Sequence, residues 1–495
     1  MAEAARPGIA THFMRYTIGS VLVMVAGFVS FPIMARLLDY TQYGLLGVFD
    51  SALLILAAVF KFGSQHSILR FYPHRGGEGA LARYGANFIL LPFLGSCVLW
   101  LLALVVFAAV PRLAAYAHDA TGWVALLTLL PVIWISSVTR VMMAEERSEL
   151  NVMVDVSQRW LGAFAIIGVV YFVSRTALGV YVARLGVSLL IAALLTVWLW
   201  RRGIPMHWRD RDRATLWAGM RYGVPLMANE ISAIALMSVD RLMLEGLTGS
   251  FMQVGIYTVG SSLAVQVSNM LHSALNTAYF QVSVRQFEID GVAAVLHTKR
   301  RILHFLVYTV VAMLVGLVTV GNDAFLLLSG HSKAESAPIF VLLCINFVLN
   351  GLLGLCTSGL ELYKRSLVLF GLTIGSALFN VVLNLVLIPR FGVMGAVYAT
   401  FASYLALNLV RWFVAPRELL AWPGLRPTLV ACVLGLVVWL AVHYSGMFGV
   451  ASHLGRLVIA AVLMMALYVL PALALDRFLR EMLVGYWNKQ RARFI

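Results

Sequence analysis

Three apolar stretches of the sequence carry groups that hydrocarbon accommodates only at a cost. In the first, residues 43–70, Asp50 and Lys61 stand eleven residues apart, with Ser64 close to the same line. At ~3.6 residues per turn these share one helical face, while Arg70 points roughly the opposite way. Two readings stand: an Asp50–Lys61 link with Arg70 as an orienting charge, or the wall of a hydrophilic cavity. In the second stretch, 218–243, Glu230 and Arg241 are again eleven residues apart on one face, with Asp240 beside Arg241. Glu230 reads equally as a proton or cation site and as the partner of a basic residue across a bundle. The third stretch, 253–280, is uncharged but holds Ser262, Gln266, Asn269, Ser273 and Asn276 at intervals of 4, 3, 4 and 3, flanked by His272. That spacing draws a polar stripe ~20 Å long on one face. One or two such groups serve as glue between membrane helices, as the i, i+4 pairs Asn346/Asn350 and Asn380/Asn384 are expected to do. Five in register predict a wet cavity.

The same inventory holds no catalytic constellation and no phosphate-binding glycine loop of the ATPase kind. His118, His331, His443 and His453 are scattered rather than set at metal-ligand spacing. The four cysteines, Cys97, Cys344, Cys356 and Cys432, sit inside apolar segments and suggest neither a disulfide framework nor a metal cluster. No cofactor and no metal are expected.

The elements that must position these groups follow from composition. Of 495 residues, 61% are hydrophobic and 12% charged, and mean hydropathy is +0.89. A soluble domain is charged at roughly a quarter of its positions, so lipid is the solvent here. Each crossing needs about 20 apolar residues. Apolar windows give about fourteen: 15–37, 43–70, 85–110, 121–143, 158–174, 178–200, 218–243, 253–280, 302–328, 337–360, 366–388, 392–414, 426–443 and 455–474. The first run reads as a retained helix rather than a signal peptide. The net charge of +15 reads as loop charge that orients a membrane protein, not as a nucleic-acid footprint. With the N-terminus cytoplasmic, 29 of the 37 Lys and Arg fall in or beside cytoplasmic connections. Arg36, Arg112, Arg175, Arg184, Arg241, Lys333, Arg390 and Arg456 fall on the other side. Span count and an N-in, C-in orientation therefore support each other.

The basic segment "RRGIPMHWRDRDR", residues 201–213, is the most polar linker and divides two six-span units. "QYGLLGVFDS" from Gln42 matches "QVGIYTVGSS" from Gln253, an offset of 211, and "LGVYVARLGVSLL" from Leu178 matches "MGAVYATFASYL" from Met394, an offset of 216. An even number of spans re-enters the membrane in the same orientation. The expected fold is an all-α polytopic membrane protein of two six-helix lobes, related by a pseudo-two-fold along the membrane normal, plus two C-terminal helices. The expected divisions are an N-terminal lobe, 1–200, the linker, 201–217, and a C-terminal lobe, 218–420. Spans thirteen and fourteen follow at 421–474, then a basic cytoplasmic tail at 475–495.

Several segments carry a resemblance. "ARLLDYTQYGLLGVFDSALLILAAVFKFGSQHSILRF", residues 35–71, is similar to the early part of bacterial polysaccharide flippases, with Gly63, Arg70 and Phe71 on their closing pattern. "SVDRLML", residues 238–244, resembles their Asp-Arg at the end of span seven, and "NLVLIPRFGVMGAVYAT", residues 384–400, resembles a run across spans eleven and twelve. In order and spacing these cover nearly the whole chain and place it beside the polysaccharide transporters of the multidrug/oligosaccharidyl-lipid/polysaccharide superfamily. The resemblance implies a flippase that carries an oligosaccharide repeat unit on polyprenyl diphosphate from the cytoplasmic to the outer leaflet by alternating access of two lobes. It implies a bacterial inner-membrane location, and exopolysaccharide, O-antigen or capsule synthesis as the setting. A diphosphate in hydrocarbon needs cations to replace its hydration. Lys61 and Arg70 are candidates for it, with Arg241 in the outward-open state, and the amides of span eight are candidates for sugar hydroxyls. The expected partners are the lipid-linked oligosaccharide, membrane lipids and, beyond these, a polymerase and export proteins. Coupling to H⁺ or Na⁺ and consumption of substrate outside are alternative driving forces.

Three alternatives compete. A cation-coupled multidrug exporter would use Asp50 and Glu230, and a lipid II flippase belongs to the same superfamily. A membrane polymerase or glycosyltransferase would need a large external loop or acidic residues in the first one, where this chain offers Asp39. The break "IPRFG" at Pro389 to Gly392 reads as a turn between spans eleven and twelve, in which Pro389 ends a helix and Arg390 reaches water or headgroups.

Overall fold

The computed structural model describes residues 9–74, 77–110, 120–275, 279–446 and 452–482; nearly all of them are helical and none is in a strand. The chain forms two compact units, Met1–Thr258 and Val259–Ile495. In the first lie α1 (Ile9–Leu37), α2 (Tyr40–Phe60), α3 (Ser64–Arg70), α4 (Glu78–Tyr84), α5 (Leu91–Ala109), α6 (Thr121–Leu127), α7 (Leu129–Ala144), α8 (Ser148–Phe172), α9 (Ala177–Arg201) and α10 (Arg213–Thr248). Helix α11 (Phe251–Leu275) begins in it. The second holds α12 (Gln281–Ile289), α13 (Val292–Ser329), α14 (Ala337–Cys356), α15 (Ser366–Phe391), α16 (Val393–Val414), α17 (Leu425–Tyr444), α18 (His453–Met464) and α19 (Leu470–Leu475). Among the described residues, 13 helical stretches are long and apolar enough to cross a membrane. Helix α11 lies where span eight is expected. This is an all-helical, multi-pass membrane protein.

Side-chain caps set several starts. Asp39 accepts the Gln42 N–H at 2.7 Å to open α2, and Thr176, Asp212 and Ser452 cap α9, α10 and α18 in the same manner. The basic linker is held by Asn87, whose Oδ1 accepts the Asp212 N–H at 3.0 Å while its Nδ2 donates to the Asp210 carbonyl at 3.4 Å.

In the first unit α1 lies along α8, and α8 along α9; Gly19 leaves room for Val152 at the first of these contacts. Ile68, Phe88, Val138, Met142 and Leu199 form a core beneath them. In the second unit α13 is covered by α14, α17 and α18, and its Lys299, fully buried, donates to the carbonyls of Ser358 at 2.9 Å and Leu419 at 2.6 Å. Of the expected amide glue one bond joins two helices: Asn408 donates to Asn350 at 2.8 Å between α16 and α14, whereas Asn384 donates to Asn380 at 3.0 Å within α15 itself.

Several expected boundaries differ, and three of the differences have a local physical cause. Span two is not continuous over 43–70: Phe62 (φ 52) and Gly63 (φ 71) break it between α2 and α3. The cause is a close helix contact, since a Cβ on Gly63 would lie 2.2 Å from the Gly223 carbonyl oxygen. Span five begins at Ser148 rather than 158, because its polar first half is helical too. Helix α15 runs through Pro389 and Arg390 to Phe391, and Gly392 (φ 55) alone makes the turn into α16. Proline in the last turn removes one hydrogen bond without ending the helix, and Gly395 lets the α16 start pack on the Leu387 carbonyl.

Candidate functional site

The break after α2 builds the first cluster. Gly63 and Gly223 bring the α2–α3 junction and α10 into backbone contact, and the Ser67 hydroxyl donates to the Gly219 carbonyl at 2.8 Å. Two turns further along α10, Glu230 faces the junction. It accepts from Lys61 Nζ at 3.1 Å and from Gln65 Nε2 at 2.5 Å, with His66 Nε2 3.6 Å away. The Lys61 side chain is 13% exposed and Glu230 29%, so the pair is largely removed from solvent. Of the two readings of Glu230, the geometry is that of a partner for a basic residue across the bundle. Ser64 is buried at the same junction.

Asp50 is not linked to Lys61. Its Oδ1 accepts from the Tyr181 hydroxyl at 2.7 Å and from Arg184 at 2.5 Å, which ties α2 to α9. Arg70 is exposed at the end of α3, its guanidinium 4.6 Å from the centroid of Tyr222. Arg241 is half-buried on α10 beside Asp240, which is buried and accepts from the Tyr257 hydroxyl at 2.6 Å. On α11, Ser262 and Gln266 are half-buried and Asn269 is exposed. Gln266 Oε1 is buried without a hydrogen-bond partner among the described residues. The side chains of His272 and Ser273, and the whole of Asn276, lie outside the described residues. The structure thus brings Lys61 and Glu230 together, with Ser64 beside them, and holds Asp50 apart from them.

A second cluster went unseen in the sequence. Between α7 and α8 lies a cavity of 330 Å³ lined by Ser136, Thr139 and Arg140 from one helix and Asn151, Asp155 and Gln158 from the other. The Arg140 guanidinium has Met143 Sδ as its hydrogen-bond neighbour, at 3.5 Å, and no carboxylate among the described residues within ion-pair distance. Asp155 is exposed in the same wall, and Arg159, one turn on, extends its face. Chemically the cavity offers one guanidinium, one carboxylate that feels its charge, two amides and two hydroxyls. The signal was available: Asn151, Asp155 and Gln158 repeat at intervals of 4 and 3, as do the residues of α11. They were passed over because span five was drawn to begin at its last member.

Among the described residues no group of three His, Cys, Asp or Glu side chains is placed to hold a metal ion. His443 stacks on Trp439, with ring centroids 5.7 Å apart. His118 lies outside the described residues.

Comparison with known proteins agrees with this architecture. A family model described as "Polysaccharide biosynthesis protein" matches residues 10–286. No curated protein sequence matches significantly. Among solved structures, a lipid II flippase MurJ in an inward-closed conformation superposes with a TM-score of 0.75 at 11% identity, covering 94% of this chain and 99% of that one. An inward-facing multidrug resistance MATE family transporter gives 0.56 at 15% identity, over 79% of this chain and 93% of that one. An outward-facing structure from the MATE family gives 0.57 at 16% identity, over 83% and 95%. At such identities the structures speak for the fold, while the family model spans more than half of the sequence. The chain therefore belongs to the polysaccharide biosynthesis protein family, and it has the membrane-transporter fold of the multidrug/oligosaccharidyl-lipid/polysaccharide superfamily.

Proposed function

We propose that this protein is a transporter rather than an enzyme. Its substrate is an oligosaccharide repeat unit on polyprenyl diphosphate, moved from the cytoplasmic to the outer leaflet of a bacterial inner membrane by alternating access of two six-span lobes. The charge distribution along the chain supports cytoplasmic termini. The observation that carries the reading is the cavity of 330 Å³ between two spanning helices, with Arg140 in its wall and, among the described residues, no carboxylate within ion-pair distance of it. A diphosphate entering hydrocarbon loses its hydration, and a guanidinium supplies charge-assisted hydrogen bonds in its place. Asn151, Gln158, Ser136 and Thr139 have the donors and acceptors that sugar hydroxyls require. The polyprenyl tail stays in lipid.

Lys61 enters this scheme differently from the sequence expectation. Paired with Glu230, it fastens the α2–α3 junction to α10 and is available to an anionic head group only when that pair opens. Arg70 and Arg241 remain candidates for the diphosphate, and the α11 amides for sugars.

The test is to delete the gene in its own host and analyse lipid-linked intermediates. Complete repeat units accumulating on the cytoplasmic side, relieved by the intact gene, are the expected result. Unchanged intermediates together with new drug sensitivity would replace the proposal with a second reading, a cation-coupled multidrug exporter. Asp155 in the same cavity favours that reading, since an acid is what an organic cation would seek.

A further inference from the structure

His331 and His453 are 122 residues apart in sequence, yet their Nε2 atoms lie 3.2 Å from each other. Both belong to the second unit: His331 opens a 3₁₀ stretch after α13, His331–Ser336, kinked at Lys333, and His453 is the first residue of α18. The ring centroids are 4.8 Å apart and the planes are inclined at 47°. Centroids farther apart than the nitrogens mean that both nitrogens point inward. Rings meeting end to end across the same gap would hold their centroids farther apart still, so the rings are not collinear, and this separation admits both Nε2 lone pairs converging on one point beside the gap.

The far side of His453 is fixed. Its Nδ1 bonds Asp323 Oδ1 at 2.6 Å, and Arg456 donates to the same oxygen at 3.2 Å. A carboxylate only accepts, so Nδ1 carries the proton and Nε2 of the neutral ring carries the lone pair. A carboxylate behind a histidine is the arrangement that orients imidazole ligands on metals.

We propose that His331 and His453 bind one divalent transition-metal ion of the zinc type through Nε2, with Asp323 as the positioning residue and water completing the coordination. Two metal–nitrogen bonds of ~2.1 Å drawn across the observed gap open at about 100°, close to the tetrahedral value. Imidazole nitrogen selects zinc, nickel or copper, whereas magnesium and calcium take oxygen. Two protein ligands make an exchangeable site. The ion clips the start of α18 to the end of α13, and under the proposed orientation it does so on the outer side of the membrane. The inference does not depend on what the protein transports.

The experiment uses the full chain, purified in detergent with a histidine-free tag and stripped with chelator. Equilibrium dialysis against ZnCl₂ should show one saturable site per chain, and thermal unfolding should rise with ZnCl₂ concentration because a ligand that binds only the folded state stabilises it. H331A and H453A should each weaken binding tenfold or more and remove the thermal shift. Asp323→Asn should weaken it about 10- to 100-fold. His331 is exposed, so H331A keeps the fold and decides the matter if the Asp323 variant does not. Absence of a saturable site, wild-type affinity in both histidine variants, or an equal thermal shift from MgCl₂ would each overturn the proposal. A pair that merely shares a proton gives the first of these results.

Discussion

At the scale of single residues, the consequential choice is which partner a charge takes. Helical periodicity put Asp50 and Lys61 on one face, but a face says nothing about what stands opposite. Across from Asp50 are Tyr181 and Arg184, and across from Lys61 is Glu230. Replacing Glu230 by Leu strands a lysine that is 13% exposed. Breaking a fully buried pair costs ~3–5 kcal/mol, and here about 2 kcal/mol is expected because Glu230 is itself partly exposed. Adding Lys61→Met should restore much of that loss, since replacing both partners by apolar groups is often neutral. Unfolding of the four proteins of this cycle checks it; additive losses would mean that the pair holds nothing together. Arg140 has a different prediction because, among the described residues, no carboxylate lies within ion-pair distance of it. Arg140→Ala should leave the amount of protein in the membrane unchanged and lower glycan export at least tenfold, with Arg140→Lys intermediate, since lysine keeps the charge but loses the planar fork. Export at the normal rate in Arg140→Ala would remove it from the head-group site.

At the scale of elements, the number and order of helices were legible because about 20 apolar residues per crossing is a coarse signal. Breaks and polar half-helices were not. Gly63 looked like one glycine inside an apolar run, and what makes it a junction is the Gly223 carbonyl, 160 residues away in sequence. The first turns of α8 were left outside span five because hydropathy, not helicity, set the boundary, and the cavity residues Asn151 and Asp155 went with them. Two glycine substitutions separate these cases. Gly63→Ala must adopt a positive φ, which costs about 1–2 kcal/mol, and must also push α10 away. Gly162, in mid-α8, has nothing within 4 Å of an added Cβ, so Gly162→Ala should be stabilising by about 0.5–1 kcal/mol. Thermal unfolding of the two variants should move in opposite directions.

At the scale of the whole molecule, the repeat detected by an offset of 211 has a physical counterpart. Gly44 and Gly255 are repeat mates, as are Tyr40 and Phe251. A Cβ on Gly44 would lie 1.9 Å from the Phe251 carbonyl oxygen, and a Cβ on Gly255 would lie 1.7 Å from that of Tyr40. Each helix start thus lays its first carbonyl on the glycine of the other, the reciprocal contact that a local two-fold generates. The sequence showed that the two segments were alike but not that they touched, because similarity carries no distance. The contact makes a prediction that neither segment makes alone. Gly44→Ala must open the gap between the starts of α2 and α11, and Gly255→Ala must open the same gap from the other side. The two variants should therefore be destabilised to a similar degree. Once one methyl has separated the backbones, the second finds room already made, so the double variant should lose clearly less than the sum of the two. Unfolding of the wild type, both singles and the double measures this directly. Coupling below ~0.5 kcal/mol, the range within which independent sites add, would show that the two glycines do not share one joint.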